Sequence, residues 1–263
     1  MLRMIRQTTW RTVEAIGDAA LLLVAPQVCR RCEALVEHLG DGVVCRACWE
    51  AWRNEQASRR QVCDRCGRWA DASGFDIVRR ELCEQCATWS LTWARSGGAY
   101  MGALRAALLA LKRVPAVPKP LCELLQATWR QQTVLHTSDV IAPIPLAPQR
   151  LRSRGYNQAE ILAYEVAQAA HRPVVTDALV RRRETHPHRA GLDEVARRTA
   201  MRGAFQVVRP RLIAGRRVLL VDDVLTSGAT LDSAAKALLA AGAAAVSALT
   251  AARTVFRKRA ALR

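Results

Sequence analysis

No apolar run in this chain of 263 residues approaches the length of a membrane span. The nearest, AIGDAALLLVA after the basic start MLRMIRQTTWR, is short and is interrupted by Asp18, which argues against a signal peptide as well. Thr8 to Val24 instead reads as a helix stopped before Pro26, with Leu21 to Ala25 packing on the neighbouring domain. Acidic residues are scarce too: 23 Asp and Glu against 40 Lys and Arg leave a net charge of +17. That imbalance points to an acidic partner, nucleic acid first and an anionic membrane surface behind it. Long basic blocks are missing, however, so an Arg-rich surface without a dedicated partner accounts for the charge equally well. The 51% of hydrophobic residues is ordinary for a folded protein and long enough in total for one large domain or two small ones.

A disulfide framework is also lacking, although nine cysteines are present. Eight of them form four Cys-x-x-Cys pairs: Cys29/Cys32, Cys45/Cys48, Cys63/Cys66 and Cys83/Cys86. Each pair makes a tight knuckle whose sulfurs suit two corners of a zinc tetrahedron, and two knuckles close a structural four-cysteine site. With intervening loops of 12 to 16 residues the simplest pairing is sequential, first knuckle with second and third with fourth, an interleaved pairing being the alternative. Four repeated pairs exceed what one redox centre needs, and iron–sulfur ligation is a lesser alternative to zinc. Reduced thiols imply a reducing compartment, the cytoplasm. Ser96-Gly97-Gly98 reads as a boundary, giving an N-terminal helix over 1–26, a double zinc ribbon over 27–93 and a larger domain over 94–263. Metal would supply much of the folding free energy of the small middle segment. Trp49, Trp52, Trp69 and Trp89 stand among the knuckles, either to stack on exposed bases or, as we expect, to fill the small core around the metal. Cys122 stands alone and reads as a small buried apolar residue.

The most informative stretch is VLLVDDVLTSGATL, Val218 to Leu231. Val218 to Val221 suits a fully buried parallel strand. Asp222 and Asp223 follow, then the small hydroxyl-rich turn Thr226-Ser227-Gly228-Ala229-Thr230. Leu231 opens a helical pattern that Gly242 closes. A helix N-terminus offers free N–H groups to an anion, Gly228 allows close backbone approach, and the hydroxyls add donors. The carboxylates cannot bind that same anion; they suit sugar hydroxyls, or a metal ion held through water. A ribose 5-phosphate with free hydroxyls satisfies both halves. Around this stretch, helices are predicted over Tyr100–Lys112, Pro120–Gln131 and from Gln158 through Ala170. Strands are predicted at Val140–Leu146, Val174-Val175, Leu179-Val180, Ala204–Val208 and Ala245–Leu249. The alternation implies an α/β fold, a mostly parallel sheet with helices on its faces.

The Val218–Leu231 run resembles the 5-phosphoribosyl 1-pyrophosphate (PRPP) motif of type I phosphoribosyltransferases. Taken with the Cys-x-x-Cys-rich N-terminus, Tyr100 with Lys112, the RSRGYNQAEILA run from Arg152 and the AFQV before the PRPP strand, the chain is similar to the ComF family. That resemblance implies a type I phosphoribosyltransferase-like sheet preceded by a double zinc ribbon, and PRPP binding with Mg²⁺. It makes Asp222 and Asp223 the catalytic pair on the ribose hydroxyls, and Thr226, Ser227, Gly228, Ala229 and Thr230 the 5-phosphate loop. Ile144 to Pro148 would be the pyrophosphate loop, with Arg150, Arg152 and Arg154 as cationic contacts, and Arg181 to Leu192 a flap over the reacting carbon. Chemistry there would displace pyrophosphate from the ribose C1 through an oxocarbenium-like state. The family includes a protein needed for DNA uptake in natural transformation and a relative linked to gluconate use. The implied partners are therefore PRPP, single-stranded DNA and other DNA-uptake proteins. The alternative is a non-catalytic PRPP-binding or single-stranded-DNA-binding protein of the competence machinery. No general base for an acceptor stands out; His186 and His188 are placed for it, but loop histidines are usually just solvated. Arg189 and Ala200 stand where the family often has Gln and Asn, a departure that bears on the acceptor rather than on PRPP.

Overall fold

A computed structural model of the chain describes residues 26–59, 61, 63–69, 83–182 and 203–255. The expected helix over 8–24, His186, His188, Arg189, Ala200 and most of the flap segment lie outside those residues. In chain order the elements are α1 (Arg46–Ala57), β1 (Ala94–Ala99), α2 (Gly102–Leu111), α3 (Lys119–Gln131), β2 (Val140–Pro143), α4 (Pro148–Arg154) and α5 (Gln158–Ala170). There follow β3 (Leu179–Arg181), β4 (Phe205–Val207), β5 (Arg217–Leu225), α6 (Ala229–Ala240) and β6 (Ala245–Arg253). No helix among the described residues is long and apolar enough to cross a membrane.

Four strands pair in parallel in the order β1-β6-β5-β2. The central strands are apolar at successive positions because both of their faces are covered. Val218 and Leu220 of β5 enter one core with α6, whereas Leu219 and Val221 enter a second core with α2, α3 and α5. Each such fully buried side chain contributes roughly 1.5–3 kcal/mol of transfer free energy. The cysteine segment divides between the same two cores. Cys29, Cys45 and Cys48 pack with the α2–α3–α5 face, and Cys63, Cys66 and Cys86 with the α6 face.

Several boundaries differ from expectation, each for a tertiary reason. Strand β5 does not end at Val221: its ladder to β6 continues to Leu225 opposite Arg253, which holds both carboxylates in extended backbone. Helix α6 starts at Ala229, two residues before the apolar period begins, because Gly228 turns the chain at φ 82°. Leu179–Arg181 and Phe205–Val207 pair with each other as an antiparallel ribbon instead of joining the sheet. Val174 makes one parallel bridge to Ile141. Gly97 and Gly98 lie within β1, Gly98 opposite Ala252 of β6. A Cβ on Gly98 would stand 2.5 Å from Cη2 of Trp52, so the glycine marks where another element approaches the strand closely.

The RGYNQ run is explained by what it ties together. Gly155, at φ 82°, ends α4 in the left-handed region. Tyr156 donates its hydroxyl to the Leu111 carbonyl at 2.6 Å, fixing the C-terminus of α2. Asn157 caps α5 by accepting from the Ala159 N–H at 3.1 Å, while its amide donates to the Ile144 carbonyl at 3.0 Å.

Candidate functional site

The site lies at the carboxyl end of β5, where successive side chains point to opposite faces of the sheet. Asp223 shares the face of Val221 and meets Lys112, the residue that ends α2, with Nζ 2.7 Å from Oδ2. Its other oxygen accepts the Val224 N–H at 2.9 Å. Asp222 shares the face of Leu220 and α6, and its Oδ1 accepts the Asp223 N–H at 2.8 Å. Burial, followed by the neighbouring Asp223 carboxylate, raises the Asp222 carboxyl well above the usual carboxylate range. The pair therefore has one carboxylate neutralised by lysine and one short of positive charge. Such a group gains by donating to or accepting from a hydroxyl, or by facing a cation.

Immediately after β5 the chain forms the small-residue turn. Ser227 is buried, Thr226 and Thr230 are half-buried, and Ala229 is buried. No side chain caps α6, whose N-cap is Gly228, so its first-turn N–H groups face the turn without a capping acceptor. The Ser227 Oγ makes only a long contact with the Ala229 N–H, 3.5 Å. Asp232 in that first turn is occupied elsewhere, accepting the Ser90 N–H at 2.6 Å and pairing with Lys236 at 2.8 Å. An uncapped helix N-terminus of this kind is suited to an anion. Beside it, the Ile144 N–H donates to the Val221 carbonyl at 2.9 Å, which sets the loop after β2 against the acidic pair. Arg150 and Arg152 stand exposed on α4, whereas Arg154 is turned onto the Gln158 amide.

The cysteines gather into two groups, Cys29, Cys32, Cys45 and Cys48, and Cys63, Cys66, Cys83 and Cys86. All four sulfurs of each group lie within 4.8 Å of one another. A tetrahedron with metal–sulfur bonds of about 2.3 Å has sulfurs about 3.8 Å apart. Sulfur contacts from 3.5 Å for Cys66–Cys83 to 3.9 Å for Cys29–Cys48 bracket that value. Each group can therefore hold a metal ion through four sulfurs. Within each group one thiol is pulled toward the thiolate. Cys83 falls to about 4, chiefly through its hydrogen bond with Cys66. Cys29 falls to about 6, where burial opposes and the N–H groups of Cys45, Arg31 and Cys32 prevail. Trp49, Trp52 and Trp89 are buried, so these rings fill cores and present no face to a base. Trp49 and Trp52 meet edge to face with centroids 5.9 Å apart. Cys122 is half-buried on α3 and near no other cysteine group, its Sγ 3.8 Å from the Val117 carbonyl.

Residues 153–261 match the phosphoribosyl transferase domain, a span that takes in the Tyr156–Asn157 ties, β5, the turn and α6. The DNA utilization protein YhgH of Escherichia coli (strain K12) is 29% identical over 230 residues, 86% of this chain and 96% of YhgH. Competence protein F of Haemophilus influenzae is 36% identical over 105 residues, 40% of this chain and 45% of that protein. Competence protein ComFC of Bacillus subtilis is 34% identical over 112 residues, 42% and 43% of the two chains. Over most of its length the chain is therefore similar to proteins of the ComF family. Among solved structures, glutamine PRPP amidotransferase from B. subtilis complexed with ADP and GMP is 21% identical, with a TM-score of 0.33, over 49% of this chain and 26% of that one.

Within this ComF-like chain the structure brings Asp222, Asp223, Thr226, Ser227, Gly228, Ala229 and Thr230 to one end of one strand. Arg150 and Arg154 occupy the helix beyond the β2 loop, and neither shares a hydrogen bond or ion pair with the acidic pair among the described residues. Lys112 is the functional-looking side chain that sequence reasoning left without a role. It is remote in the chain, and its place beside Asp223 depends on Tyr156 fixing the end of α2. Gln85, Trp89 and Arg253 also reach the site region, and nothing local in the sequence marks them.

Proposed function

We propose that this chain binds PRPP together with Mg²⁺, as a phosphoribosyltransferase-type protein serving DNA uptake or utilisation. The observation that carries the reading is the uncapped N-terminus of α6, set directly beyond a strand that ends in an acidic pair with one unneutralised member. The 5-phosphate would take the N–H groups of the first turn and the hydroxyls of Thr226 and Thr230. Asp222 and Asp223 would take the ribose hydroxyls, and the charge deficit at Asp222 fits a divalent cation. Mg²⁺ there would neutralise the departing pyrophosphate. The loop after β2 would orient that group, and Lys112 would hold Asp223 in place through their ion pair. Zinc, with four sulfurs per ion, fits both cysteine groups. The names of YhgH, competence protein F and ComFC support placing the activity in DNA handling.

Calorimetric titration with Mg²⁺ and PRPP tests the reading, on the wild type and on the Asp222→Ala, Asp223→Ala double variant. Binding by the first and loss in the second is expected; heat from neither removes PRPP as the ligand. A second reading, a non-catalytic binder of single-stranded DNA, is favoured by the net charge of +17 and the exposed Arg150 and Arg152. It requires an affinity for single-stranded DNA that falls steeply with salt, since phosphate contacts release counterions. Pyrophosphate release that depends on a second substrate would instead establish the transferase.

A further inference from the structure

The third and fourth cysteine pairs sit against the phosphate turn itself. Gln85, one residue before Cys86, donates its amide to the Thr226 carbonyl at 3.0 Å. Trp89 lies over Gly228 so closely that a Cβ there would fall on the ring, 2.7 Å from Cη2 and 2.5 Å from Cε2. Ser90 donates its N–H to Asp232 in the first turn of α6. Three contacts from one short segment thus grip both sides of the turn.

Arg253 extends this grip to the sulfurs. It ends β6, opposite Leu225, and is only 3% exposed. A buried guanidinium requires compensating charge. Among the described residues no carboxylate lies within ion-pair distance of Arg253. Its partners are the Cys66 carbonyl at 2.6 Å, the Cys66 Sγ at 3.5 Å and the Gln85 side-chain oxygen at 2.6 Å. Four thiolates around a divalent ion would carry the negative charge this arginine otherwise lacks. The chain of contacts runs from Cys66 through Arg253 and Gln85 to the Thr226 carbonyl. Trp89 adds a second observation. Its Nε1 is buried with no partner among the described residues, whereas Trp52 spends its own on the Ala99 carbonyl. An unspent donor bonded to Cε2, beside Gly228, suits a ligand oxygen in the turn.

We propose that the second cysteine group, once metal-loaded, is part of the phosphate-binding apparatus: Arg253 and Gln85 position the turn, and Trp89 supplies a donor to its ligand. The inference rests on the reading of Thr226–Thr230 as an anion site and assigns it a wall from outside the parallel sheet. Gln85 and Arg253 are positioning residues; Trp89 would touch the phosphate.

The test uses the full chain with its metal, as wild type, Gln85→Ala and Trp89→Phe. Three quantities are measured: metal per chain, amide hydrogen exchange over residues 226–231, and affinity for Mg²⁺–PRPP. Metal content is expected to equal the wild type in both variants. Gln85→Ala should exchange faster over 226–231 and bind PRPP about tenfold more weakly, whereas Trp89→Phe should keep wild-type exchange and lose a similar factor in affinity. Chelation that removes metal from a Cys48→Ser variant, in which only the second group is intact, should raise exchange over the same residues. Wild-type exchange in Gln85→Ala and in the chelated protein would overturn the proposal. The exchange measurement needs no ligand, so a wild type that fails to bind PRPP would count against the proposed function while this coupling is still decided.

Discussion

Replacing Gly228 by alanine puts a methyl group where the structure has no room and asks for a backbone that alanine resists. The residue sits at φ 82°, and an L side chain in the left-handed region costs roughly 1–2 kcal/mol. Its Cβ would lie 2.5 and 2.7 Å from Cε2 and Cη2 of Trp89, a ring that is 5% exposed and held within the core shared by Cys63, Cys66 and Cys86. Relief would have to come from shifting a packed ring, for which overpacking costs about 1–3 kcal/mol. Gly228→Ala should therefore destabilise by about 2–5 kcal/mol. At roughly 2–4 °C per kcal/mol for a chain of this size, its melting temperature falls by about 4–20 °C. Thermal unfolding at fixed metal content reads the total, and the Trp89→Ala background separates its parts. With the ring gone only the backbone cost persists, so the two substitutions should couple by about 1–3 kcal/mol. Additive effects would refute the argument, because they would mean that the ring does not press on the turn.

Elemental analysis should find close to two zinc ions per chain and close to one in Cys48→Ser; a value near zero in the wild type would remove zinc from the account. Tyr156→Phe loses one bond to the Leu111 carbonyl and should cost about 1 kcal/mol in urea unfolding, together with weaker Mg²⁺–PRPP binding as Lys112 loses its fixed origin. Asn157→Ala loses both the α5 cap and the tie to Ile144 and should cost about 1–2 kcal/mol in the same assay. Arg217 holds the Asp139 carboxyl down to about 2, first through its guanidinium hydrogen bonds and then through its backbone N–H. Because that folded value lies below the unfolded one, the native chain binds fewer protons between them, and the pair's contribution disappears as pH falls from about 4 to about 2. The effect is small, since solvent screens two largely exposed side chains. Asp139→Asn should flatten only this acid limb of a urea-midpoint profile, and a change confined to neutral pH would contradict the assignment.

Local chemistry made part of this protein legible from its residues alone. Four consecutive apolar residues, two carboxylates, a hydroxyl-rich turn with glycine and a 3.6-residue period are all short-range signals. The order strand, acidic pair, turn and helix could therefore be read without knowing any partner. Cysteine spacing is equally local, because a knuckle is formed by residues three apart. What the sequence could not decide was everything fixed by contacts remote in the chain. The strand runs on through Asp222 and Asp223 because β6 continues to pair with it, against their local polarity. Gly97 and Gly98 read as boundary residues, yet they are strand residues, Gly98 kept small by Trp52 and Gly97 by Leu124 and the Ala251 carbonyl. Lys112 acquires a role only when α2 is tied down by Tyr156. Arg253 meets Cys66 across 187 residues, and Trp89 finds Gly228 only after the cysteine segment packs on the α6 face of the sheet. Spacing within a few residues determines the pieces of this site; burial against distant elements determines which charges and rings close around it.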